Sequence, residues 1–233
     1  MKVIGTESDR YLRWVSRCRG GMYNGAYYYA VEIEDIILPS LGLDLDVTII
    51  TAGLPLHNPR KIPDGSIAIC HNNQTLQNQY KKMFGKDFLW ICSKPSTVDK
   101  VEALGEKAIY IPLSIDTRYV EKFKTEKTKD TAFVGNRWRF KEGYLRSLPD
   151  GVDRLTDMPR EELLAEMAKY RRVIAEGRCL MEAQVLGCEA EIPDYGDSSL
   201  GAIFREPFDT IEAIPLWAET LATFSKKTDI MII

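Results

Sequence analysis

Strand-like runs and helix-like segments take turns along almost the whole chain. That alternation constrains the fold more than any single motif. Runs rich in β-branched and apolar residues occupy 46–51 (DVTIIT), 66–70 (SIAIC), 88–92 (FLWIC) and 108–111 (AIYI). Helical spacing fills the gaps, as in Ala26, Tyr29, Ala30, Ile33 and Ile37, which line one helix face. Pro39 and Gly42 are expected to end that helix. Segments 75–84 and 96–104 read as further helices, and 1–4 as a short first strand. The pattern restarts with strands at 131–135 (TAFVG), 152–155 (VDRL), 172–175 (RVIA) and 189–192 (EAEI). Helices are expected over 141–147, 159–168 and 178–186, then over a long region 207–224 interrupted at Pro215. Strands separated by helices predict parallel sheets with helices on both faces.

A charged stretch at 121–129 separates the two runs. The expected fold class is therefore α/β, with two small Rossmann-like domains facing a cleft. Residues 1–120 would form the first domain and 121–233 the second, with the last helix packing back on the first. Ligands bind such sheets beyond the carboxyl ends of the strands. The dinucleotide fingerprint G-x-G-x-x-G is absent, which weighs against a nicotinamide-dependent dehydrogenase.

Composition excludes other classes. With 45% hydrophobic and 28% charged residues among 233, the chain has enough apolar surface to fold. No apolar run approaches the roughly 20 residues that span a bilayer. The opening MKVIGTESDR lacks the apolar core of a signal peptide, so a cytoplasmic location is expected. The net charge of −3 is not that of a general nucleic-acid binder. Local basic clusters (Arg10, Arg13, Arg17 and Arg19; Arg137, Arg139, Lys141 and Arg146) suit a small anion or a solvated face. The five cysteines form no C-x-x-C pair, and two histidines exclude a multi-histidine metal site.

Two segments carry chemistry. In the first, the strand at 131–135 ends at Gly135, and Arg137 and Lys141 follow before a helix. Glycine lets a backbone approach a ligand closely, arginine offers a planar fork to phosphate oxygens, and a helix N-terminus favours an anion. An ordinary turn with solvated bases fits the same residues. In the second, Glu176-Gly177-Arg178-Cys179 turns into a helix that carries Glu182 one turn in. Turn amides suit phosphate, and a carboxylate there suits a ribose diol. Arg178 and Glu182, four apart, would equally pair with each other.

Together these segments resemble the C-terminal donor domain of GT-B fold glycosyltransferases of the group 1 type. The resemblance lies in strand-Gly-x-Arg-x-x-x-Lys, then Glu-Glu-Leu opening a helix, then E-G-R-x-x-x-E-A-x-x-x-G. In the first half, Gly20-Gly21 resembles that family's opening glycine-rich loop, and residues 110–116 (YIPLSID) the segment before its domain linker. The resemblance implies transfer of a sugar from a nucleoside-diphosphate sugar, with UDP-glucose taken as donor and no metal or other cofactor. It implies that Gly135, Arg137 and Lys141 hold the diphosphate. Gly177, Arg178 and Cys179 would form the turn that meets it, and Gly20 and Gly21 would approach from the other domain. Glu182 would bind the ribose, and Thr156, Asp157 and Met158 the base. Glu176 lies six residues before Glu182, where the family usually has an acidic residue eight before, so its role is left open.

His71, at the end of a first-domain strand, is the candidate base or sugar-hydroxyl ligand, with a structural role as the alternative. Glu7 and Asp9 are weaker base candidates. The acceptor is unknown. Arg10 to Arg19, with Trp14, Tyr23, Tyr27 and Tyr28, would suit a modified base of DNA. Competing readings are a non-catalytic binder of the same nucleotide and a sugar-nucleotide epimerase.

Overall fold

The computed structural model describes residues 28–29, 32–42, 47–50, 67–70, 89–103, 105–135, 148–156, 158–193 and 207–228. The expected strand at 1–4 and helices at 75–84 and 141–147 lie outside them. The protein is α/β, built on parallel sheets. Its contacts divide it into two compact units, one holding Ala26–Leu113 and Thr210–Ile233, the other Ser114–Asp209.

In the first unit, β1 (Val47–Ile50), β2 (Ile67–Cys70), β3 (Leu89–Cys92) and β4 (Ala108–Tyr110) form one parallel sheet in that order. Register runs Val47 to Ile67 to Leu89. Trp90, Ile91 and Cys92 are buried, as expected of a strand covered on both faces. The helix α2 (Pro95–Glu102) opens on Pro95, where a missing N–H costs nothing, and turns Thr97 and Val101 inward.

The first helical segment buries Tyr29, Ile33 and Ile37, the face read from the sequence. Its end differs from the expectation. A π-helical turn, Ile33–Ile37, runs into α1 (Leu38–Ser40), and Pro39 sits inside that last turn rather than ending it. The Leu38 N–H reaches back five residues to the Ile33 carbonyl. Proline crowds the carbonyl four residues before it, and a widened turn accommodates the ring. The chain leaves the helix at Gly42, whose φ of 66° only glycine adopts without strain.

The last helix, α6 (Thr210–Thr228), also corrects the sequence reading. It is continuous through Pro215. The hydrogen bond that Pro215 forgoes would go to Ile211, and both residues lie on the exposed face. Ala213, Trp217 and Leu221 face inward, and α6 packs on the π-helical turn. At its start the Thr210 hydroxyl donates to the buried Glu32 carboxylate over 3.2 Å.

The second unit holds β5 (Lys129–Val134), β6 (Asp153–Leu155), β7 (Tyr170–Ile174) and β8 (Glu189–Glu191), all parallel, in the order β6-β5-β7-β8. Ala132, Val134, Val173 and Tyr170 pack on one side with Leu164 and Met167 of α4 (Arg160–Met167) and Leu180 of α5 (Arg178–Val185). Phe133 and Ile174 pack on the other with Leu148 and Val152. The strands β5 and β7 begin two residues earlier than the apolar pattern indicates. Those extra residues, Lys129, Asp130, Tyr170 and Arg171, extend the amino edge of the sheet. There Lys129 pairs with Glu166, and the Tyr170 hydroxyl donates to Asp153 over 2.7 Å. Hydrogen bonds from Lys129 and Lys169 hold the Glu166 carboxyl below its ordinary range. Burial, then the Asp153 bond, pushes the Tyr170 hydroxyl up.

A short helix, α3 (Thr117–Glu121), starts where Asp116 accepts from the Tyr119 amide. Asp209 accepts from both the amide and the hydroxyl of Thr117. Ile115 bridges to Asp209, so the two segments at the ends of this unit are tied together.

Candidate functional site

In a parallel sheet of order β6-β5-β7-β8, the chain winds outward in opposite directions from the β5–β7 pair. Ligands bind sheets of this kind beyond the carboxyl ends of the strands, at the point where the order reverses. Gly135 directly follows β5, with its amide 3.4 Å from the Leu155 carbonyl. Across the pair, Ala175, Glu176 and Gly177 follow β7 and lead into α5. Thr156 and Met158 follow β6 on the same edge. The fold therefore brings the described members of the diphosphate and base sets to one sheet edge.

Gly177 caps α5 with φ 59° and ψ −132°, a conformation that side-chain-bearing residues avoid. Gly177, as the residue before the helix, has no side chain with which to cap it. Helix N-termini carry a partial positive charge, so this one favours an anion. A Cβ at Gly177 would meet no atom within 4 Å. The cost of Gly177→Ala is then backbone strain rather than a clash, about 1–3 kcal/mol. Urea unfolding should show that loss, with the slope unchanged.

From Arg178 to Ala183, α5 is buried at every residue. Arg178 Nε donates to Glu182 Oε1 over 3.0 Å, so the four-residue spacing makes the local pair the sequence allowed. The Arg178 guanidinium also reaches the Ser114 carbonyl at 3.5 Å. A second arginine, Arg160 at the start of α4, donates to the same Oε1 over 3.2 Å. The Glu182 side chain is fully buried, and its Oε2 accepts from none of the described residues. Cys179 is buried and in no disulfide.

Arg160 was not legible as a site residue. It sits in a separate βα unit, with no periodicity linking it to Glu182. Tyr119 supports it, with the guanidinium carbon 4.8 Å from the ring centroid. Gly20, Gly21, His71, Arg137, Lys141 and Asp157 lie outside the described residues, as do Glu7 and Asp9. Among the described residues, no group of three or more His, Cys, Asp or Glu is gathered to hold a metal ion. No described helix is long and apolar enough to cross a membrane.

The far ends of α4 and α5 meet at Lys127. Its ammonium donates to the carbonyls of Ala168 and Leu186, each at 2.9 Å, and to Cys188 Sγ at 3.1 Å. Both carbonyls belong to residues that end helices, where a cation is favoured. Burial pushes the Cys188 thiol up, and the Lys127 bond opposes that shift. Gly187, at φ 77°, closes α5, with amides of Gly187 and Cys188 bonded to the Gln184 and Ala183 carbonyls.

No protein-family model matches the chain, and no curated protein sequence matches it significantly. Among solved structures it is similar to AviGT4, a glycosyltransferase involved in avilamycin A biosynthesis. Identity is 14% and the TM-score 0.46, over 89% of each chain.

Proposed function

We propose that this chain is a glycosyltransferase whose second unit binds a nucleoside-diphosphate sugar at the carboxyl edge of β5, β6 and β7. The observation that carries the reading is one juxtaposition. Gly135 and the Gly177 turn flank the point where the sheet's winding reverses, and a buried carboxylate oxygen without a described donor lies one turn into α5.

Each part suits one piece of the ligand. The Gly177 turn and the first amides of α5 receive the diphosphate. Arg137 and Lys141, which follow Gly135 in sequence, add positive charge. Glu182 Oε2 accepts from a ribose hydroxyl. Thr156 and Met158, at the end of β6, meet the base. Cleavage of the sugar–phosphate bond places negative charge on the departing diphosphate. Preorganised amides and cations stabilise that charge in the transition state. The same charges carry the reading from binding to catalysis.

The test is turnover. The protein is incubated in water with a panel of hydroxyl-bearing acceptors and UDP-glucose, and separately with GDP-, ADP-, CDP- and dTDP-sugars, and free nucleoside diphosphate is measured. Release above the enzyme-free rate from one donor, reduced at least tenfold in Arg137→Ala, is the expected result. Binding of a donor without release would replace the transferase by a non-catalytic binder. No binding of any donor would overturn the site.

A further inference from the structure

Glu182 is held from one side. Both arginines donate to Oε1, and Oε2 is left to a further donor. The two arginines restrain it differently. Arg178 sits four residues earlier on the same helix, and its fork matches a carboxylate in a two-bond pairing. Such a pairing would use both oxygens of Glu182. Arg160 comes from another helix and is itself fixed. It is 8% exposed, and its guanidinium lies over the Tyr119 ring. The Tyr119 hydroxyl in turn donates to Glu161 over 3.0 Å. A stacked guanidinium has a defined plane and a defined direction of donation.

We infer that Arg160 is a positioning residue. By sharing Oε1 with Arg178, it keeps the carboxylate out of a two-bond pairing with Arg178, leaves Oε2 to the ligand, and so sets a preference for ribonucleotides over 2′-deoxyribonucleotides. The inference rests on the nucleotide reading of this edge. The bond between a ribose hydroxyl and an ionised carboxylate is worth about tenfold or more in affinity. The 2′-deoxy analogue lacks one of the two hydroxyls able to make it.

Calorimetric titration with UDP and 2′-deoxy-UDP, and with GDP and 2′-deoxy-GDP, measures that preference directly. The unmodified protein is expected to favour the ribonucleotide of the accepted pair by about tenfold or more. Arg160→Met should bring the ratio to within about twofold, while Arg160→Lys, which retains a donor, should restore most of it. A merely structural role would weaken both nucleotides equally and leave the ratio unchanged, which would overturn the inference. Circular dichroism shows whether Arg160→Met is folded. If it is not, Tyr119→Leu takes its place, and an unchanged ratio there overturns the inference as well. Nucleotide binding with no ribose preference in the unmodified protein refutes the positioning role alone. Absence of binding to all four nucleotides refutes the nucleotide reading with it.

Discussion

Glu182→Ala should lower the melting temperature by on the order of 10 °C. The substitution leaves Arg160 and Arg178, 8% and 4% exposed, without the carboxylate they share. Removing one partner of a buried ion pair costs about 3–5 kcal/mol. For a chain of this length each kcal/mol shifts the midpoint by roughly 2–4 °C. Glu182→Gln should lose less, because the amide keeps the volume and one acceptor oxygen, although it too removes the charge that balances the two arginines. Scanning calorimetry on the two variants tests this contrast. Equal and small losses would mean that the two arginines do not depend on Glu182. The contrast also decides how the site is probed. Alanine at 182 confounds folding with binding more than glutamine does.

Lys127→Met should cost about 2–4 kcal/mol, read as a lower urea midpoint at unchanged slope. One ammonium serves the closing carbonyls of both α4 and α5, and each charge-assisted bond is worth about 1.5–3 kcal/mol. Loss of the cation leaves two partly buried carbonyls to find water at a packed junction. Methionine keeps the aliphatic stem, so the loss reports the charge and not the packing. A midpoint within experimental error of the parent would show that water replaces the lysine at no cost.

These two residues show where sequence reading succeeds and where it stops. The strands were legible because buried parallel strands are continuous apolar runs, and LWIC at 89–92 needs no partner to be recognised. The amino ends of β5 and β7 were not, because Lys129 and Tyr170 are held by Glu166 and Asp153 from other parts of the chain. Lys127 read as one more charge in a linker, since nothing local marks it as the meeting point of two helix ends. The same contrast runs through the site. Gly177 was legible because a glycine between a strand and a helix has a local conformational reason. Arg178 and Glu182 were legible because four residues make one helical turn. Arg160 reaches Glu182 only after two βα units have packed, and no local spacing encodes that contact. Pro215 failed as an interruption, and Pro39 lies one residue inside the end it was expected to mark, for a related reason. A proline breaks a helix only where the lost bond and the crowded carbonyl find no accommodation. A π-helical turn supplies that in one case, and an exposed face in the other.

The central claim is that a nucleoside diphosphate binds at the β5–β7 edge of the second unit. Amide-resolved NMR titration of the full chain with UDP, GDP, ADP, CDP and dTDP tests it most directly. The amides of Gly135 and of Gly177 to Leu180 should shift together for at least one of them, saturating at a common affinity, with little change at the Lys127 end of α4 and α5. Shifts confined to other residues, or none with any of the five, would contradict the account.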